Sequence, residues 1–168
     1  DRFFADDTGT MLTLDGGDGD DTFQIGQMFG SARVTPSVAT GDEIETNRTT
    51  QGFLSVGNSH PMLVYGGDGE DVFTVYSNKA VTKLFGEAGN DTFVVRAFLL
   101  EAEPTVSAGG GTTEVFGGDG DDQILYNINA PLSIDGGAGV DTIVVIGTEV
   151  GDNFLVTEGG IYGAGLNI

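Results

Sequence analysis

A nine-residue glycine- and aspartate-rich segment returns five times along the chain, and no other feature restricts the fold as strongly. The copies are residues 16–24 (GGDGDDTFQ), 66–74 (GGDGEDVFT), 86–94 (GEAGNDTFV), 117–125 (GGDGDDQIL) and 136–144 (GGAGVDTIV). Each carries Gly at its first and fourth positions, Asp at its sixth and a large apolar residue at its eighth. The sixth-position residues are Asp21, Asp71, Asp91, Asp122 and Asp141. Asp1-Arg2-Phe3 matches the tail of a sixth copy, with Asp1 at position six and Phe3 at position eight. Asp1 to Asp21 and Asp71 to Asp91 are 20 residues each, and Asp122 to Asp141 is 19. The remaining intervals are 50 and 31, as if about 30 and about 11 residues had been inserted into a period near 20. A fixed period of this size is the signature of stacked repeats.

The residues flanking each copy predict strands. Leu14, Val64, Leu84, Val115 and Ile134 stand two residues before the first Gly. Phe23, Phe73, Phe93, Ile124 and Ile143 hold position eight, and Ile25, Val75, Val95, Tyr126 and Val145 hold position ten. Apolar residues two apart, rich in β-branched and aromatic types, form the pattern of a half-buried strand. Each period therefore reads as strand, Gly-rich loop, strand and return turn, the last in places such as Ser77-Asn78-Lys79 and 127–131. Stacking the periods puts the position-eight residues in one internal column. The chain is expected to be all-β, a right-handed parallel β-roll or β-solenoid with about 20 residues per turn. It is read as one module over residues 1–168, with insertions at about 27–57 and 97–112 that leave the roll away from the Gly-rich loops. A weaker match at 147–154 reads as a degenerate turn. The apolar run 161–168 resembles a strand that precedes a further loop, so the chain is expected to be a fragment of a longer tandem array.

Charge narrows the function. The chain has 26 acidic residues against 6 basic ones, a formal charge of -20, which excludes phosphate-backbone recognition and attraction to anionic membranes. The natural partners of such a surface are cations. Cys is absent, His60 is the only His, and no catalytic motif accompanies it, so no enzyme activity is expected. Stacked strands lie about 4.8 Å apart, which brings the position-six carboxylates close together. Two such charges about 5 Å apart repel by roughly 0.8 kcal/mol in water and about 3 kcal/mol at an effective dielectric of 20. Asp18, Asp20, Asp68, Glu70, Asp119 and Asp121 add to the repulsion. A hard divalent cation between loops removes it. Calcium suits an all-oxygen site of carboxylates and loop carbonyls, whereas zinc wants His or Cys and magnesium a stricter octahedron.

The repeat resembles the RTX nonapeptide GGxGxDxUx, in which U is a large apolar residue; the five copies and their flanking strands cover about 100 of the 168 residues. The resemblance implies calcium between consecutive loops, held by the position-six Asp and by loop carbonyls. Carried onto this chain, the side-chain ligands are Asp21, Asp71, Asp91, Asp122 and Asp141, with Asp1 completing the end site. The loops themselves comprise Gly16, Gly17, Asp18 and Gly19; Gly66, Gly67, Asp68 and Gly69; Gly86, Glu87 and Gly89; Gly117, Gly118, Asp119 and Gly120; and Gly136, Gly137 and Gly139. Glu87 replaces the second Gly of its copy and Val140 stands at position five of the last, so those two loops depart from the pattern. With one nonapeptide per period, calcium is expected along one edge only, about five ions in all. The implied function is a calcium-binding structural module of a secreted or cell-surface protein of the adhesin, surface-layer or filament type. Its partners would be calcium and neighbouring repeats or filament subunits, with no nucleic acid and no membrane insertion. The alternatives are an accessory RTX domain of a secreted exoenzyme, and a carbohydrate- or partner-binding module acting through the insertions.

Overall fold

A computed structural model describes residues 1–33, 39, 41, 44–96, 112–127, 132–147, 151–157 and 160–162. Among these residues the chain is all-β, and its two largest sheets are parallel throughout. The first contains β1 (Arg2–Ala5), β3 (Thr22–Ile25), β8 (Val72–Val75), β10 (Thr92–Val95), β12 (Gln123–Asn127) and β14 (Thr142–Ile146), side by side in that order. The second contains β2 (Leu12–Asp18), β7 (Met62–Asp68), β9 (Thr82–Ala88), β11 (Thr113–Asp119) and β13 (Leu132–Ala138). Each Gly-rich segment ends a strand of the second sheet and begins the next strand of the first, so the chain alternates between the sheets.

The register is uniform, and it turns the sequence repeat into columns. Phe3, Phe23, Phe73, Phe93, Ile124 and Ile143 are successive partners across the first sheet. Leu14, Val64, Leu84, Val115 and Ile134 are partners across the second. Both columns belong to one core, in which Phe23, Phe73, Phe93, Val64, Leu84, Val115 and Ile124 are fully buried. Strand spacing dictates the ring geometry. Phe3, Phe23, Phe73 and Phe93 stack nearly parallel with centroids 4.9, 5.0 and 4.6 Å apart. Ile143, expected in the same column, is 46% exposed because β14 is the last strand of its sheet and has a neighbour on one side only.

The return turns carry a third column that composition did not reveal. Thr8, Asn58 and Asn78 are paired in parallel bridges. Asn58 is fully buried: its Nδ2 donates to the carbonyls of His60 (2.9 Å) and Ala80 (3.4 Å), and its Oδ1 accepts from Thr82 Oγ1 (3.1 Å). A buried amide satisfied on both sides locks one turn to the next. Within 27–57, β4 (Met28–Phe29), β6 (Gly52–Ser55) and β5 (Thr46–Thr49) form a small antiparallel sheet with Leu54 buried. It adjoins the return-turn side, where Asp6 Oδ1 accepts from Gly57 N and Ser77 Oγ donates to Val56 O. The second insertion, 97–112, lies outside the described residues except for Thr112.

One expected strand behaves differently. β16 (Gly160–Tyr162) does not continue a parallel sheet; it pairs antiparallel with β15 (Leu155–Thr157). The two strands are two residues apart in sequence, a separation that suits antiparallel neighbours, whereas parallel neighbours need a crossover of a dozen residues or more. Residues 163–168 lie outside the described residues.

Candidate functional site

The Gly-rich loops bring the six position-six aspartates into one register. Asp1, Asp21, Asp71, Asp91, Asp122 and Asp141 each precede a strand of the first sheet, and those strands pair without offset. Asp21, Asp71, Asp91 and Asp122 are only 1–2% exposed. Their carboxylates do not simply oppose one another, because each is split between two tasks. Oδ1 accepts the main-chain N–H of the preceding turn's aspartate: Asp21 N to Asp71 at 2.7 Å, Asp71 N to Asp91 and Asp91 N to Asp122 at 2.8 Å, and Asp122 N to Asp141 at 3.1 Å. The main-chain nitrogen of Asp1 donates to Asp21 Oδ1 in the same way. The other oxygen, Oδ2, is buried without a hydrogen-bond partner in Asp21, Asp71, Asp91 and Asp122.

The position of Oδ2 explains the first Gly of the repeat. A Cβ on Gly16, Gly66, Gly86 or Gly117 would stand 2.0–2.3 Å from the Oδ2 of its own loop's aspartate. The same point lies 2.2–2.8 Å from the main-chain carbonyl of the next turn's first Gly: Gly66, Gly86, Gly117 and Gly136 respectively. No side chain fits there. Each loop therefore sets a carboxylate oxygen and a carbonyl oxygen around one small space with no donor between them. A buried carboxylate oxygen without a donor, set beside a carbonyl oxygen, is unfavourable unless a proton or a cation joins it.

The remaining loop residues have distinct parts. Position two requires a positive φ, and Gly17, Gly67, Gly118 and Gly137 have values from 89° to 116°. Glu87 occupies that position with φ 76°, a conformation that costs a side-chain-bearing residue free energy. Gly19, Gly69, Gly89, Gly120 and Gly139 also have positive φ. At position five a second, exposed ladder runs the opposite way. Asp20 Oδ1 accepts from Glu70 N, Asn90 Oδ1 from Asp121 N, and Asp121 Oδ1 from Val140 N. Val140 thus contributes only its main-chain N–H, which any residue but Pro supplies, and its departure from the repeat leaves that bond intact. Asp18, Asp68 and Asp119 at position three are exposed and in line with the small Ala88 and Ala138. In the degenerate turn, a Cβ on Gly147 would lie 2.8 Å from Asp152 Oδ2, a looser version of the same contact.

The donors of the buried column are oxygen only. Among the described residues no three His, Cys, Asp or Glu side chains converge as a metal cluster, so any ion held here draws on one or two carboxylates and on main-chain carbonyls. Burial pushes the carboxyls of Asp71, Asp91 and Asp122 above the usual carboxylate range. For Asp91 the value reaches about 6: desolvation is the main cause, opposed by the N–H of Asp71 and reinforced by the charges of Asp71, Asp122 and Glu70. A carboxyl raised from 3.8 to about 6 contributes stability that is complete below 3.8 and lost as pH rises through about 6. In calcium-free buffer the folded state is therefore expected to be more stable at pH 5 than at pH 7.5, by about 1–2 kcal/mol after allowance for solvent screening. The β-sheet circular dichroism retained in chelator from pH 5 to 7.5 checks it, falling as pH rises; a signal that rises with pH contradicts it.

No family model matches the chain, and neither does any curated protein or solved structure.

Proposed function

We propose that this chain is a calcium-stabilised structural module of a secreted or cell-surface protein, non-catalytic, with RTX-type loops on a right-handed parallel β-roll. The observation that carries this reading is the column of four buried Asp Oδ2 atoms without partners, each beside a carbonyl of the next turn. Calcium accepts six to eight hard oxygens, main-chain carbonyls included. Asp21, Asp71, Asp91 and Asp122 would supply the charge, the loop carbonyls the remaining donors, and Asp1 and Asp141 the ends of the row. The chemistry supplied is charge neutralisation and cross-linking of one turn to the next. This makes metal binding part of the folding free energy, and it fits an extracellular setting, where calcium reaches the range that modules of this kind need. The module would then act by holding its neighbours in an adhesin, surface layer or filament.

Calorimetric titration tests the reading. Six aspartates in register leave five intervals, so about five ions are expected when every interval is filled. Five divalent ions add ten charges and take the formal charge from -20 to about -10. A stoichiometry of zero or one rules the proposal out. Magnesium at the same concentration is expected to bind far more weakly, because its small octahedral shell is reluctant to shed water.

A further inference from the structure

The outer face of the second sheet carries a feature that the loops do not explain. Tyr65, Phe85 and Phe116 are partners in register and stack on one another, with centroids 4.8 and 4.9 Å apart and planes within 10°. They are half-buried and lie on the side opposite the core. The column does not end in further rings. Asp15 is the register partner of Tyr65 at one end, and Asp135 is the partner of Phe116 at the other, both exposed. Stacking hides the faces between the rings and leaves two faces open, each next to a carboxylate.

That pairing is electrostatically poor as it stands. The face of an aromatic ring is the negative pole of its quadrupole, and a carboxylate beside it is repelled. A cation between them satisfies both, and a guanidinium does so with its flat surface on the ring and its N–H fork on the carboxylate. A neutral sugar would leave the repulsion in place. The chain has no cation of its own for this purpose. Of its six basic residues only Lys83 lies on this face, and it is bound to Glu114 at 2.8 Å. Among the described residues neither Asp15 nor Asp135 has an ion-pair partner.

We propose that this face docks an extended basic segment of a protein partner, with one cationic side chain at each end of the Tyr65–Phe85–Phe116 stack. The two gaps, between β2 and β7 and between β11 and β13, are three strand spacings apart, about 14 Å. Residues i and i+4 of an extended chain project to one side about 13 Å apart. The partner segment therefore presents Arg or Lys at i and i+4 and runs across the strands, and the net negative charge that the chain keeps with calcium bound steers it in.

The test uses the 168-residue chain in millimolar calcium and a fluorescent peptide with the core Arg-Thr-Ser-Thr-Arg. It is expected to bind at least about fivefold tighter than a peptide of the same composition with adjacent arginines, and than one with citrulline in their place. The Asp15→Asn, Asp135→Asn double variant is expected to lose this preference. The Asp7→Asn, Glu45→Gln variant, which removes the same two charges elsewhere, is expected to keep it. Equal binding of the two arginine peptides, or equal losses in the two variants, shows that the face supplies bulk charge only and overturns the proposal. Neutral oligosaccharides that shift the Tyr65 and Phe116 ring resonances while the peptide does not overturn it as well.

Discussion

Removing calcium at pH 7.5 is expected to abolish most of the β-sheet circular dichroism of this chain. Asp21, Asp71, Asp91 and Asp122 are nearly fully buried and follow one another strand by strand. Neighbouring charges about 5 Å apart repel by about 3 kcal/mol at an effective dielectric of 20. Three adjacent pairs come to about 10 kcal/mol, within the 5–15 kcal/mol that is the whole net stability of a typical domain. The N–H that each Oδ1 accepts offsets part of this, but Oδ2 has no donor to compensate it. Without metal the chain can relieve the strain by taking up protons or by unfolding, and at pH 7.5 the first route is closed for a carboxyl near 6. Spectra recorded in excess chelator, and again after return to millimolar calcium, check this. Unchanged spectra and an unchanged thermal midpoint in chelator would sink the calcium reading.

The core was largely legible in the sequence because strand pairing in a repeat copies one residue pattern into one column. Val64, Leu84 and Val115 stand two residues before the first Gly of their copies and are buried as that spacing predicts. The exceptions are edges: Ile143 has the same place in the repeat as the buried Phe23, Phe73, Phe93 and Ile124, but no strand covers its far side. The role of the site was only half legible. Charge and spacing showed that the position-six aspartates share a column. They did not show that Oδ1 would tie main-chain N–H groups together while Oδ2 stayed bare. That division depends on the main-chain N–H of the neighbouring turn's aspartate, and a main-chain group leaves no mark in residue identity. The Asn58–Asn78 ladder did leave one. The two residues are 20 apart, the same period as the loops. The outer aromatic stack was missed for a different reason: Tyr65, Phe85 and Phe116 alternate with the core residues, and an alternating pattern draws attention to its buried half. The antiparallel β15–β16 pairing went unread because the apolar run beginning at Ile161 looks alike in a parallel and an antiparallel strand, and only the number of residues between the strands separates them.

Phe93→Ala is expected to destabilise the calcium-loaded chain by about 3–5 kcal/mol. Phe93 is fully buried in the middle of the column, stacked on Phe73 at 4.6 Å and in register with Ile124 on its other side. Strand spacing holds both neighbours where they are, because moving either would break a ladder of main-chain bonds along the whole sheet. The cavity left by the ring therefore cannot collapse, which puts the cost at the upper part of the range for such truncations. Phe85→Ala provides the contrast. It removes the same atoms from the other strand of the same turn, and a ring that also stacks on its neighbours at 4.8 and 4.9 Å, but on the outer, half-buried face. There water fills the space, and the expected loss is about 1 kcal/mol, the value of the ring contacts alone. Urea unfolding of both variants in saturating calcium measures the difference. Equal losses would mean that the Phe3–Phe93 column is not the chain's interior and that the two sheets do not share a core in solution.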